Sequence, residues 1–259
     1  MLLNSVIFVL REVLEAALII SVLLALSQNQ GLSKKWLFPA VFVGLVFAGI
    51  YASQLTVISS YFDGVGQELV NAGLHLLIYF FILLTIILLK YPKTKSWAIL
   101  TMIGCVVFAS VREASEIFTY LVGFISVPDL FSNVIIGSII GAGIGLSVGV
   151  LFYYTIAYAR LDVGLVFGLF LLVLIAGGMV SQAIQLLTQA DLISSQGAIW
   201  DSTFLVDERS LFGQLLYALI GYESTPTLVQ FVCYSVSILL AGVLTVSTFL
   251  SSTVSGKTA

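Results

Sequence analysis

Long apolar stretches separated by short polar breaks run along almost the whole chain. A transmembrane helix needs about 20 mostly apolar residues, because the hydrocarbon core of a bilayer is about 30 Å thick. Seven stretches meet that length, at residues 3–27, 36–58, 70–89, 97–125, 133–158, 163–187 and 227–250. Barrel strands need only about ten alternating residues, so these runs indicate helices. We therefore predict an all-α membrane protein with seven transmembrane helices in one domain, residues 1–259.

The first stretch resembles a secretory signal only in its position. It has no basic residue ahead of its apolar run, and charged residues lie in its middle. Both features are untypical of a signal peptide. We expect a helix that is retained in the protein.

Composition narrows the class of protein further. Hydrophobic residues make up 60% of the chain and charged residues 9%, whereas a soluble domain carries charge on about 25% of its residues. So few charges exclude a soluble enzyme, a nucleic-acid-binding protein and a disordered chain. The net charge of -3 and the lack of a basic run also argue against nucleic acid as a partner. Cys105 and Cys233 both lie in apolar stretches and make neither a disulfide framework nor a metal-ligand pair.

The charges in the polar breaks are sorted by sign. Alternate breaks and the C-terminal tail are basic, with one acid, Asp162, beside Lys34, Lys35, Lys90, Lys93, Lys95, Arg160 and Lys257. The other breaks are acidic, with one base, Arg209, beside Asp63, Glu68, Asp129, Asp191, Asp201, Asp207, Glu208 and Glu223. Because basic loops stay on the cytoplasmic side, the N-terminus is predicted outside and the C-terminus inside. Seven spans are an odd number, which also puts the two termini on opposite sides of the membrane.

Six further charges lie inside the apolar stretches. They form two copies of the pattern R-E-x-x-E, with Arg11, Glu12 and Glu15 in the first span and Arg112, Glu113 and Glu116 in the fourth. Both copies lie close to the bilayer midplane, where each charge costs about 3 kcal/mol to insert. The charged residues of one copy share a helical face, because they are three and four residues apart. We expect both faces to point into the bundle.

Two interpretations of these charges are open. They could form salt bridges that hold the first and fourth spans together, or they could bind a metal ion. A salt bridge needs one carboxylate and does not explain a second Glu on the same face in both copies. Four carboxylates and two guanidinium groups sum to -2, which suits a multivalent hard cation. We favour a metal site with Glu12, Glu15, Glu113 and Glu116 as ligands and with Arg11 and Arg112 balancing the charge.

The positions of the motifs also predict an internal repeat. The motifs are 101 residues apart and lie in the first and the fourth span, so the second motif span begins three spans after the first. Three is odd, so the two units would have opposite orientations, as in many transporters with a midplane site. Repeat one is predicted at 1–89 and repeat two at 97–187, followed by an outer loop at 188–226 and a seventh helix at 227–250.

Features outside the motifs lead to smaller predictions. Glycines recur every four residues in the fifth span, which favours close helix packing over a hinge, at Gly137, Gly141, Gly145 and Gly149. The lone His75 is expected to be a packed or hydrogen-bonded residue rather than a ligand.

The acidic side carries candidates for capturing cations, namely Glu68, Asp201, Asp207 and Glu208. An ordinary solvated outer surface is the slightly favoured explanation of these acids. Apolar residues from Leu211 to Leu219 recur at helical spacing and predict a short amphipathic helix on the membrane or over the pore mouth.

The paired motifs resemble the oxidase-dependent iron permeases, the high-affinity ferric iron permease family of fungi and bacteria. Shorter segments are also similar to bacterial members, namely Gln67-Glu68-Leu69, Ala176-Gly177-Gly178, Ile199-Trp200-Asp201, Ser210 to Leu215, and Gly221-Tyr222 with Pro226. The resemblance implies inward transport of Fe(III) across a lipid bilayer, a bacterial inner membrane or plasma membrane, with the four motif glutamates as iron ligands. It also implies a ferroxidase or a periplasmic iron-delivery protein as a partner, and no organic cofactor.

The chain departs from the bacterial pattern at polar positions outside the motifs. Asn71 stands where relatives often carry an acid, and Gln182, Gln185 and Gln189 replace an acidic or His-containing segment. The ion therefore stays open, and a transporter of manganese or lead is the first alternative. A membrane enzyme with a carboxylate-bound metal centre is another, but di-iron sites pair Glu with Glu-x-x-His, and that pattern does not occur here. We therefore do not expect an enzyme. A purely structural bundle is the third alternative.

Overall fold

The computed structural model describes residues 2–89, 94–194, 197–208 and 210–255. Over these residues the chain is helical, without a strand, and an isolated bridge pairs Ala198 with Thr227. The helices are α1 (Leu2–Asn29), α2 (Leu37–Ser53), α3 (Leu55–Ser60), α4 (Gly66–Leu89), α5 (Lys95–Phe124), α6 (Pro128–Ala157), α7 (Leu161–Gln189), α8 (Leu211–Ile220) and α9 (Leu228–Ser255). The all-α prediction is confirmed.

Six helices of the described ranges are long and apolar enough to cross a membrane. They are Lys34–Ser53, Gly66–Leu89, Lys95–Phe124, Leu130–Ala157, Val163–Gln189 and Leu228–Thr248. At 28 residues α1 is equally long, but it is not among the six, and the charges of the first motif interrupt its apolar sequence. A seventh span therefore stays a prediction.

The predicted orientation also stays a prediction. It rests in part on Lys90, Lys93, Arg209 and Lys257, which lie outside the described residues. We call the end of the bundle that carries residues 190–194, 197–208 and 210–227 the loop end, and the opposite end the far end. The starts of α1 and α4 and the ends of α5 and α7 lie at the loop end, since residues of all four segments line one cavity there.

The predicted second span is interrupted. The prediction placed one helix at 36–58, but α2 ends at Ser53 and α3 begins at Leu55. Gln54 between them has φ -99° and ψ 3°, outside the helical range. The break turns the chain toward α4 at the loop end.

Four helices form the centre of the bundle. Both α1 and α4 pack against α5 and α7. Around this centre, α6 packs along α1, α2 packs along α5, and α9 packs along α7 and α4. The contacts are symmetric when α1 is exchanged with α5, α2 with α6, and α4 with α7. Under this exchange the pair α1 and α6 becomes the pair α5 and α2, which is also in contact.

The apolar core fills the far half of the bundle. Most of its residues lie in the four central helices on the far side of the motifs, and Leu23, Ile82, Met102 and Leu172 among them are fully buried. Large apolar side chains on α2, α6 and α9 point outward instead, as lipid-facing residues do. The motifs therefore lie above a closed apolar core.

The glycines at every fourth position of α6, which we call the glycine stripe, place this helix directly against the backbone of α1. They are Gly137, Gly141, Gly145 and Gly149. A Cβ atom added at Gly141 would lie 2.5 Å from the carbonyl oxygen of Val6 and 2.9 Å from the nitrogen of Leu10. One added at Gly137 would lie 2.6 Å from the carbonyl oxygen of Leu2. This confirms the prediction of close packing. The contact fixes the helix that carries the first motif.

The outer loop contains a short helix, α8, at the residues where the amphipathic helix is predicted. Ser210 caps α8, because its Oγ accepts a hydrogen bond from the backbone nitrogen of Gly213 at 3.0 Å. Gly221 ends the helix with φ 65°, a conformation that favours glycine. The helix packs on α1 and α7, so it covers part of the loop end.

We predict that Gly141→Ala lowers the free energy of unfolding by about 1–3 kcal/mol, because the new methyl group overlaps the α1 backbone. The matched control is Gly143→Ala on the same helix, where a Cβ meets nothing within 4 Å. Thermal unfolding of the purified chain in detergent measures both. Equal melting temperatures for the two variants would contradict the packing.

Candidate functional site

The two R-E-x-x-E motifs meet where α1 and α5 pack together. The Arg112 guanidinium reaches across to α1, with Nη1 3.1 Å from Glu15 Oε2 and 3.5 Å from Glu12 Oε2. On its own helix, Nη1 lies 2.5 Å from Glu113 Oε2 and Nη2 lies 3.3 Å from Glu116 Oε1. One guanidinium thus contacts all four motif carboxylates.

The first-motif arginine occupies a different place. Arg11 Nη2 lies 2.5 Å from Glu12 Oε1, and its Nε lies 4.0 Å from Glu15 Oε1. Its side chain is 32% exposed, against 8% for Arg112. Arg11 is therefore at the edge of the cluster and Arg112 at its centre.

The cluster leaves buried polar atoms without hydrogen-bond partners. Within the described residues these include Glu12 Oε2, Glu15 Oε1 and Arg112 Nε. Buried acceptors without a donor are costly, and the formal charges of the six groups sum to -2. The cluster therefore has unused capacity for positive charge.

Among the described residues, no group of three or more His, Cys, Asp or Glu is arranged to hold a metal ion. The positions of the arginines explain this arrangement, because the carboxylates point at the Arg112 guanidinium rather than at a common open point. Metal coordination by all four would require that guanidinium to move aside.

A cavity of about 280 Å³ reaches the cluster from the loop end. Arg11, Arg112 and Glu116 lie at its base. Its walls are polar and come from α4, α7, the outer loop and α8, with His75, Gln182, Gln185, Gln189, Glu208, Gln214 and Tyr217. The short helix α8 thus contributes to the wall of the cavity.

A second cavity, of about 490 Å³, reaches the same carboxylate from another side. Glu68 and Glu116 both line it. Between them, Asn71 Nδ2 donates to Glu116 Oε1 at 3.3 Å, and the Tyr51 hydroxyl donates to Asn71 Oδ1 at 2.9 Å. Glu116 lines both cavities, so it is the cluster carboxylate most open to the loop end.

The structure separates the four candidate capture residues. Glu68 lines the larger cavity, and Glu208 lines the smaller one while its carboxylate accepts a hydrogen bond from the backbone nitrogen of Ser224. Asp201 Oδ1 instead accepts hydrogen bonds from the backbone nitrogen and hydroxyl of Thr203, at 2.9 and 2.6 Å. Asp207 is exposed. Neither aspartate is among the residues that line the two cavities.

Another acid of the outer loop, Glu223, was not singled out from the sequence as a site residue. Gln185 Nε2 donates to its Oε1 at 3.5 Å. Burial raises the pKa of Glu223 to about 7, and nearby Glu208 adds to that rise. At neutral pH this carboxyl is therefore only partly ionised.

Two polar residues of the central helices lie in the smaller cavity without having been singled out as site residues from the sequence. His75 is buried as predicted, with Nδ1 3.3 Å from Met179 Sδ. Gln182 is buried beside it in the smaller cavity. Their polar character inside apolar spans was the available signal.

Six apolar spans and a buried ionic cluster reached by polar cavities define an integral, multi-pass membrane protein with a polar site inside the bundle. A family model described as the Iron permease FTR1 family matches residues 89–258. The match covers more than half of the chain, and the chain belongs to this iron permease family. It is a family of transporters rather than enzymes, and iron is the ion that it implies.

The matched region begins at Leu89, the last residue of α4, so it contains the second motif and does not include the first. Comparison with curated proteins and with solved structures finds no match. The roles of individual residues must therefore be argued from the geometry.

We predict that Arg112→Gln lowers the free energy of unfolding by about 3–5 kcal/mol, because it leaves buried carboxylates without their shared partner. The matched control, Arg11→Gln, should cost about 1 kcal/mol or less, since that side chain is partly exposed and touches only the first motif. Denaturant unfolding in detergent compares them. A larger loss for Arg11→Gln would mean that Arg112 is not the central cation.

Proposed function

We propose that this permease moves Fe(III) inward through a site formed by Glu12, Glu15, Glu113 and Glu116. One observation carries the proposal: the Arg112 guanidinium contacts carboxylates of both motifs at once. A single cation already gathers these four groups from two helices. A trivalent hard ion offers the same oxygens three charges instead of one.

In this mechanism Arg112 holds the carboxylates together until the ion arrives. Iron then takes over the carboxylate oxygens, and the guanidinium moves toward the smaller cavity that it already lines. Arg11 balances charge at the edge, from its partly exposed position beside Glu12. The exchange avoids leaving four buried carboxylates without a counter-charge.

The ion reaches the site from the loop end in this proposal. The two cavities and their shared residue Glu116 support that direction. The apolar core blocks the far half of the bundle, so passage requires a rearrangement. We propose that repeat one (1–89) and repeat two (97–187) move against each other, as the exchangeable pairings of their helices support.

The proposal includes the surroundings of the chain. We propose that α1 is a seventh span, that the loop end and the N-terminus face outward, and that the membrane is a bacterial inner membrane. A ferroxidase or a periplasmic iron-delivery protein would then meet the outer loop 188–226. Its exposed aspartates, Asp201 and Asp207, support contact with a carrier of cations rather than a role in the cavities.

We predict that Glu15→Gln and Glu116→Gln each lower iron uptake at least tenfold, because each removes a charged ligand from the site. Uptake of labelled iron into proteoliposomes, supplied as Fe(III) and as Fe(II) in parallel, measures this. The matched control is Asp63→Asn, which removes a carboxylate from an exposed turn.

Three outcomes separate the alternatives in that experiment. Unchanged uptake in both glutamate variants would mean that the cluster only forms salt bridges that hold the helices together. Glutamate-dependent uptake of manganese but not iron would favour the rival cation transporter. Uptake from Fe(II) alone would overturn the assignment of Fe(III).

We predict that Glu68→Gln raises the KM for iron several-fold and leaves kcat within about twofold. Glu68 lines the larger cavity at the loop end and does not contact Arg112, so it attracts the ion without holding it at the site. Initial uptake rates at low ionic strength measure both constants. A fall in kcat with unchanged KM would place Glu68 in the transport step instead.

A further inference from the structure

Two buried side chains beside the cluster have no role in the mechanism so far. His75 of α4 and Gln182 of α7 are 0% and 3% exposed. Both line the smaller cavity together with Arg112 and Glu116. Within the described residues, His75 Nε2 and Gln182 Oε1 are buried without a hydrogen-bond partner. Native structures rarely leave such atoms unpaired without a reason.

Met179 determines which nitrogen of His75 is available. His75 Nδ1 lies 3.3 Å from Met179 Sδ. A thioether has no hydrogen to donate, so the ring nitrogen must be the donor in this contact. A neutral ring then carries a lone pair on Nε2. A second proton would put another buried cation in the cavity that already holds Arg112.

The cavity thus places two unpaired acceptors beside the cluster. Within the described residues, His75 Nε2 and Gln182 Oε1 have no hydrogen-bond partner, and both residues line the cavity together with Glu116. They come from α4 and α7, two of the four central helices. A cation that enters this cavity and meets Glu116 would offer both atoms a partner.

We propose that His75 Nε2 and Gln182 Oε1 are additional ligands of the transported ion, and that the nitrogen makes the site selective for transition metals. Oxygen ligands alone suit Ca²⁺ and Mg²⁺, whereas imidazole suits iron and its neighbours. Met179 is a positioning residue, because its sulfur orients the ring. The inference deepens the proposed function and rests on it.

The first test detects the nitrogen ligand directly. Mn(II) is added to the purified full chain in detergent, and electron spin echo modulation reports ¹⁴N bound to the metal. We expect imidazole nitrogen coupling in the wild type and its loss in His75→Gln. Met179→Leu should weaken the coupling. The matched control Met102→Leu, in the apolar core away from the cavities, should retain it.

The second test measures selectivity. Labelled-iron uptake into proteoliposomes is followed with and without a hundredfold excess of Ca²⁺. We expect wild type and Met102→Leu to be nearly insensitive to calcium, and His75→Gln to be inhibited at least fivefold. Met179→Leu should fall between them, and it provides the test if His75→Gln does not fold.

The outcomes distinguish this inference from the proposed function. If Glu15→Gln abolishes uptake while His75→Gln alters neither calcium inhibition nor the nitrogen coupling, His75 is a packing residue and the inference is overturned. If Glu15→Gln leaves uptake intact, the proposed function fails. A wild type that binds no Mn(II), or binds it without nitrogen coupling, also overturns the role of His75.

Discussion

The contact of one guanidinium with four carboxylates is the constraint on which the structure depends. At the distances seen around Arg112, unshielded carboxylates would repel one another strongly in a medium of low dielectric constant. Helices α1 and α5 can approach only because this cation lies between their glutamates. The glycine stripe of α6 also holds α1 in place, because it brings the backbones of these two helices into contact. Electrostatics and packing thus place the same helix.

That contact also divides the bundle into two halves. Toward the loop end, polar side chains of α4, α7 and α8 line the cavities, and water can offset part of the cost of the charges. Toward the far end, the central helices are filled with Leu, Ile and Met side chains. In the proposed transport, a cation that reaches Glu116 gains carboxylate ligands at once, whereas the described core beyond the cluster is mainly apolar. In this conformation the site is accessible from one side.

The sequence was enough to predict features that depend on the residues of a single helix. Six charges in apolar helices had to face inward, and glycines at every fourth position had to meet a neighbouring backbone, as Gly141 does. It could not predict which of two identical motifs supplies the central arginine, because that depends on how α1 and α5 cross. The place of His75 depends likewise on where α4 crosses α7. Nor could the sequence predict that Asp201 lies away from the two cavities, with its Oδ1 accepting hydrogen bonds from Thr203 two residues along the chain.

The difference between the two arginines bears on how the proposed transport could work. Two equal motifs in an inverted repeat would be equivalent in a symmetric structure, yet Arg112 is buried at the centre and Arg11 lies open to the cavity. An exchange of conformation between the repeats would reverse these roles, with Arg11 taking the central place and Arg112 facing the far end. Each carboxylate would keep a cationic partner in both states. The duplicated arginine then has a physical reason, because a site with only one would lose its counter-charge when the access side changes.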